Sequence, residues 1–121
     1  MKVVINKRHG GFGLSDAAMN RYAEIKGIAL YPEKTYGMGT FTIYYTVPAD
    51  QRFNAKDREV LSEYDMDRND PILIQVVEEF GKKANGYAAS LKVVEIPDDV
   101  KWHIHEYDGL EHVAEDHRTW S

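Results

Sequence analysis

The sequence predicts an α+β fold: a mostly antiparallel sheet of about six strands with two main helices packed on one face. Three observations carry this. β-branched and aromatic residues gather in short runs, most clearly over residues 40–47 (Thr-Phe-Thr-Ile-Tyr-Tyr-Thr-Val). Two helix starts carry full N-terminal signals, at Ser15-Asp16 and at Asp70-Pro71. The C-terminal third alternates strand-like runs with tight turns, Pro97-Asp98-Asp99 and Asp108-Gly109, which suit antiparallel neighbours. At 121 residues the chain is read as one domain, 1–121, with room for a modest core.

Taken in order, residues 2–6 form a strand in which Val3, Val4 and Ile5 make a continuous β-branched run, the pattern of burial on both faces. Gly10, Gly11 and Gly13 surround Phe12. Ser15 then caps a helix, with Asp16 in its first turn and Leu14 and Met19 at the hydrophobic-staple positions. Ala18, Tyr22 and Ile25 are its inward stripe, and Gly27 closes it after Lys26. A second strand is expected over 28–31, stopped by Pro32-Glu33-Lys34, with a flexible turn at 35–39 before the strand at 40–47. Between 49 and 67 the pattern weakens; Phe53, Val60, Leu61 and Tyr64 fit either a short helix or a surface excursion. Asp70 caps the second helix, Pro71 is its first residue, and Ile72, Leu73, Val76, Val77 and Phe80 have helical spacing. Gly81 ends it, or Lys82, Lys83 and Ala84 add a turn before Asn85-Gly86. Strands follow at 90–96, 100–107 and 110–115, and Trp120 in the tail is either docked or a contact.

Composition narrows the function classes. The net charge of −5 disfavours a nucleic-acid polymer as partner, since that interaction needs a basic footprint. The charge is uneven: Lys2, Lys7, Arg8 and His9 cluster at the start, and acids dominate 59–70 and 95–116. The absence of cysteine excludes disulfides, thiol catalysis and cysteine-held zinc. No apolar run reaches membrane-spanning length, and the N-terminal apolar stretch is too short for a signal peptide, so a cytoplasmic location is expected.

Several constellations could carry chemistry. Gly11-Phe-Gly13-Leu-Ser-Asp16 half-matches a dinucleotide loop, but Asp16 stands where the third glycine belongs, and no Walker lysine follows. Lys7 and Arg8 with the loop N–H groups suit a phosphate; the plainer reading is a tight strand-to-helix turn with Phe12 in the core. A two-residue turn at Asp108-Gly109 pairs Tyr107 with Leu110 and His105 with His112, and puts His103 on the same face. Three imidazoles there resemble a zinc site, or simply form the wet face opposite Trp102, Ile104 and Val113; no metal or other cofactor is assigned. The same register sets Glu106 against Glu111, so either a neighbouring lysine relieves them or the register slips. Arg68 and Asn69 precede the second helix, as a second anion site or as a capping ion pair for which Asp67 and Asp70 compete. His117-Arg118-Thr119-Trp120 suits stacking on a base with phosphate pairing, or a packing anchor. Ser15, Ser62, Ser90 and Ser121 sit in no nucleophile elbow, so no catalytic residue is assigned and the chain is not read as an enzyme.

Two blocks resemble a group of small phage and prophage proteins, mostly described as hypothetical. One is Lys2-Val-Val-Ile-Asn-Lys7 with Gly10-Gly-Phe-Gly-Leu-Ser15. The other comprises Arg68-Asn-Asp-Pro71, Val76-Val-Glu-Glu-Phe-Gly81, Ala84-Asn-Gly86, Leu91-Lys-Val-Val-Glu-Ile-Pro-Asp-Asp99, Glu106-Tyr-Asp-Gly109 and His117-Arg-Thr-Trp120. Residues from about 30 to 66 carry no likeness, and Arg8, His103, His105 and His112 depart from the pattern. The chain is also similar to the anti-Thoeris sponge proteins of phages, which bind cyclic ADP-ribose-type signals and in some cases cyclic oligonucleotides. That resemblance implies a non-catalytic protein of the host cytoplasm that sequesters a small nucleotide signal, as a homo-oligomer with sites near subunit interfaces. The candidate ligand contacts are Lys7, Arg8, Gly11, Phe12, Gly13, Arg68, Asn85, Arg118 and Trp120, with arginines on phosphate, Phe12 or Trp120 on a base, and Asn85 on a base edge. The alternatives are an inhibitor that docks a host protein through acidic faces and Trp120, or a metal-dependent enzyme on the histidine hairpin.

Overall fold

The computed structural model describes residues 1–35, 41–51 and 59–115. The local signals at the helix ends are realised in full. Helix α1, Asp16–Lys26, starts where the Ser15 side chain accepts the Ala18 N–H and ends at Gly27 in the left-handed conformation. Helix α2, Pro71–Phe80, starts where Asp70 accepts the Ile72 N–H, and Lys82, Lys83 and Ala84 add a 3-10 turn after Gly81. Strands are β1 (Lys2–Asn6), β2 (Tyr31–Thr35), β3 (Phe41–Tyr45), β4 (Val60–Leu61), β5 (Leu91–Glu95), β6 (Trp102–Tyr107) and β7 (Leu110–Glu115). The chain is α+β and every strand pair is antiparallel.

These strands divide into three small sheets, β1–β5, β2–β3–β4 and β6–β7, where a single sheet was expected. The division has a visible cause at β1. Its edge away from β5 is covered without a strand: the Val4 N–H donates to the Arg68 carbonyl at 2.8 Å, and the Asn6 N–H donates to Glu111 Oε1 at 2.8 Å. An irregular backbone and one side chain thus occupy groups a further strand would otherwise pair. The core lies between α1, α2 and β1, where Val4, Met19, Tyr22, Leu73, Val76 and Val77 are buried together.

The largest differences from the sequence reading lie at β2 and between residues 49 and 67, where β4 is an additional strand; β3, β5 and β6 are each one to three residues shorter than expected. Strand β2 begins at Tyr31 and runs through Pro32, which pairs with Tyr44. Pro32 is tolerated because β2 is the edge of its sheet, where a missing N–H breaks no ladder on the far side. Between 49 and 67 there is no α-helix among the described residues; Ala49–Gln51 and Glu63–Asp65 form 3-10 turns around β4. The expected contribution of Phe53 and the turn at 36–39 lie outside the described residues.

The C-terminal hairpin keeps the expected register, Tyr107↔Leu110, His105↔His112 and Glu106↔Glu111. The opposed glutamates do not force a slip, and among the described residues no lysine pairs with either of them. Glu111 turns inward onto Arg68, while Glu106 accepts the Gly109 N–H. The competition of Asp67 and Asp70 for Arg68 is likewise absent: Asp70 caps α2 and accepts the Tyr22 hydroxyl. Burial and that contact together hold the Tyr22 hydroxyl above the ordinary tyrosine range.

Candidate functional site

The glycine loop is a packing device on one side and the wall of a cleft on the other. On its inner side the hairpin turn sits on the loop backbone. A Cβ on Gly109 would come within 2.6 Å of Gly10 N, and one on Gly86 within 2.7 Å of the Gly13 carbonyl carbon. The Gly10 N–H donates to the Asp108 carbonyl, and the His9 ring meets Tyr107 edge-on at 6.4 Å between centroids. Glycine is required here because backbone approaches backbone.

Beneath the loop lies a closed polar network. Arg68 donates from both terminal nitrogens to Glu111, at 2.6 and 2.8 Å, and its guanidinium lies over the Phe12 ring, 3.6 Å from the centroid. The Glu111 side chain is 7% exposed and that of Arg68 18%. Asn6, fully buried, donates to the carbonyls of Arg8 and Gly109, both at 2.7 Å, and accepts the Ser90 N–H at 2.8 Å. Of the expected ligand contacts, Phe12 and Arg68 are therefore turned onto each other, in the interior. A base stacking on Phe12, or a phosphate on Arg68, would have to displace that pair. Gly11 is at the hairpin-turn contact, and Lys7 and Arg8 are exposed beyond the loop. Arg118 and Trp120 lie outside the described residues.

On its outer side the loop borders an open cleft of about 570 Å³. Five stretches of chain meet there: Gly13 to Asp16 at the start of α1, Lys34 on β2, Phe41, Thr42 and Tyr44 on β3, Glu63-Tyr64, and Asn85 to Tyr87. The loop is held to the Asn85 segment by Ser15 N–H to the Ala84 carbonyl and Gly86 N–H to the Gly13 carbonyl, each 2.9 Å. Three of the described large apolar side chains that are exposed stand at this cleft: Phe41 at 60%, Tyr64 at 74% and Tyr87 at 103%. Of the expected contacts, Gly13 and Asn85 line it. The Asn85 side-chain oxygen is engaged by the Leu91 N–H at 2.8 Å, which fixes the side chain's orientation.

Among the described residues, the charged groups lining the cleft are mostly acidic, which does not suit a phosphate. Asp16 accepts the Tyr44 hydroxyl, and Glu63 accepts the Leu14 N–H at 3.2 Å, so carboxylates already occupy the start of α1. Lys34 is the one basic residue lining the cleft among the described residues. Burial raises the Glu63 carboxyl above its ordinary range, against the N–H groups of Leu14 and of Glu63 itself, which favour the charged form. Burial, followed by the Asp16 hydrogen bond and the charges of Asp16 and Glu63, also keeps the Tyr44 phenol protonated well above the usual range.

A carboxyl whose folded pKa is raised weakens folding above that pKa and stops doing so as pH falls through it. Glu63→Gln is therefore expected to be more stable than the parent chain at neutral pH. The gap should close as pH falls through the raised pKa toward the ordinary glutamate value. Denaturant unfolding across a pH series measures this, and a gap that widens on acidification refutes it.

The histidine face is formed as expected, with the His105 and His112 rings 4.8 Å apart. Among the described residues, however, no group of three or more histidines and acids is close enough to hold a metal ion. None of the described helices is long and apolar enough to cross a membrane. The cleft residues Phe41, Tyr44, Glu63, Tyr64 and Tyr87 escaped the sequence reading. Only Tyr87 carried a local signal, an aromatic side chain just past the Asn85-Gly86 turn, where core packing does not call for one. Comparison with protein-family models, with curated proteins and with solved structures gives no match to this chain.

Proposed function

We propose that this protein is a non-catalytic phage anti-defence protein that binds and sequesters a small cyclic nucleotide-type signal, and that the cleft at the start of α1 is where it binds. The observation that carries the reading is the aromatic rim. Phe41, Tyr64 and Tyr87 stand exposed around one cleft of about 570 Å³, within the range of roughly 300–1,000 Å³ typical of small-ligand sites. Exposed rings around a concavity are what base stacking needs, and each stacked base is worth roughly 1–3 kcal/mol. The lining also supplies polar groups, Asn85, Asp16 and Glu63, which is the mixture that fixes a ligand's orientation. Lys7 and Arg8 are exposed ahead of the loop and do not line the cleft.

Sequestration requires tight binding and no turnover, and it suits a homo-oligomer in which neighbouring subunits close an open cleft. Calorimetry of the full chain with cyclic ADP-ribose isomers and with cyclic di- and trinucleotides tests this. Binding of at least one is expected, weakened about tenfold or more by Tyr87→Ala, as loss of one stacking platform implies. Absence of heat with every member of that set overturns the reading.

A further inference from the structure

Resting on that nucleotide reading, we infer that the cleft admits the nucleoside end of the ligand, a planar ring bearing N–H and O–H donors, and leaves phosphate outside. A glycine loop running into a helix N-terminus ordinarily suggests the reverse, phosphate on the loop N–H groups. Here four of those groups already have partners within the protein. Gly10 N–H goes to the Asp108 carbonyl, Leu14 N–H to Glu63, Ser15 N–H to the Ala84 carbonyl, and Ala18 N–H to the Ser15 hydroxyl.

The charge balance points the same way. Among the described residues two acids, Asp16 and Glu63, line the cleft against one base, Lys34, so this lining offers a phosphate more acidic groups than basic ones. A carboxylate oxygen accepts hydrogen bonds and donates none, so what it recognises is an amino group or ring N–H of a base, or a sugar hydroxyl. Each acid is already braced, Asp16 by the Tyr44 hydroxyl and Glu63 by the Leu14 N–H, so these acceptors are oriented before a ligand arrives. Phe41, Tyr64 and Tyr87 stand beside them, placing ring faces next to acceptors, which is the pair of features a nucleoside requires and a phosphate does not.

The test uses the full chain and three probes, guanosine, adenosine and inorganic pyrophosphate, followed by amide chemical shifts and calorimetry. Guanosine, with adjacent N–H donors on one edge, is expected to bind and to move the amides of Leu14, Glu63 and Tyr87. Adenosine should bind more weakly, and pyrophosphate should move none of these amides. Glu63→Gln, which keeps the shape and an acceptor for the Leu14 N–H, should weaken guanosine about tenfold. Tyr87→Ala, at a side chain free of packing, should do the same by loss of stacking. Pyrophosphate shifting the Leu14 amide, or competing with guanosine, overturns the inference, as does nucleoside binding that neither variant weakens or no nucleoside binding at all. The two readings separate cleanly. Nucleosides binding as described while no cyclic nucleotide binds sinks sequestration alone. Cyclic nucleotides binding with full affinity to both variants sinks the cleft assignment alone.

Discussion

Arg68→Met is expected to destabilise the protein by about 3–5 kcal/mol, because it strands the Glu111 carboxylate in the interior without its counter-charge. Glu111 accepts both Arg68 nitrogens and the Asn6 N–H, and its side chain is 7% exposed, so little water can replace the guanidinium. The stacking of Arg68 on Phe12 is lost in the same step. Denaturant unfolding should show the loss as a lower midpoint, with a fall in Tm of roughly 10–20 °C for a domain of this size. Removing both charges, in Arg68→Met with Glu111→Leu, should recover part of the loss but not all. The double variant leaves the buried Asn6 N–H without an acceptor, a residual cost of about 1–3 kcal/mol. A loss below about 1 kcal/mol for Arg68→Met would show that the pair is not a determinant of the fold.

Asn6→Asp is expected to be more damaging than Asn6→Ala, although aspartate is the closer in shape. The Asn6 amide donates to two carbonyls, of Arg8 and Gly109, and its oxygen accepts the Ser90 N–H. Aspartate keeps the acceptor but sets a carboxylate against two carbonyl oxygens, in a fully buried position near Glu111. Alanine removes three hydrogen bonds and leaves their partners without it, at about 1–3 kcal/mol for each group that finds no replacement. Aspartate adds the cost of an unpaired interior charge, so its penalty should shrink at low pH, as protonation restores a donor. Unfolding of both variants at neutral and acidic pH checks this; equal penalties at both pH values would mean that water reaches the site.

What could be read locally came out as read. Ser15 and Gly27 bound α1, Asp70 and Pro71 start α2, and Asp108-Gly109 sets a hairpin register that survives two opposed glutamates. Each of these depends on residues a few positions apart, whose backbone demands are the same in any tertiary setting. Pro32 misled because a proline breaks a strand only when its missing N–H is needed, and whether β2 is an edge is not a local property. Arg68 misled for a similar reason. Its nearest acids in sequence are Asp67 and Asp70, but its partner is Glu111, forty-three positions on, brought in by β7.

The Gly10–Gly13 loop marks the division most sharply. The sequence by itself determined that a flexible, well-capped strand-to-helix turn stands there, because φ-tolerant residues and an N-cap act over a single turn of chain. Only the tertiary structure decided what that turn is for. It receives the Gly109 hairpin turn on its inner side, and meets the Gly86 backbone, Asp16, Glu63 and three exposed aromatic rings at the cleft on its outer side. Those groups come from stretches separated by tens of residues, and the sign of the charge that gathers at a site is a sum over neighbours in space. No single stretch of chain contains that sum.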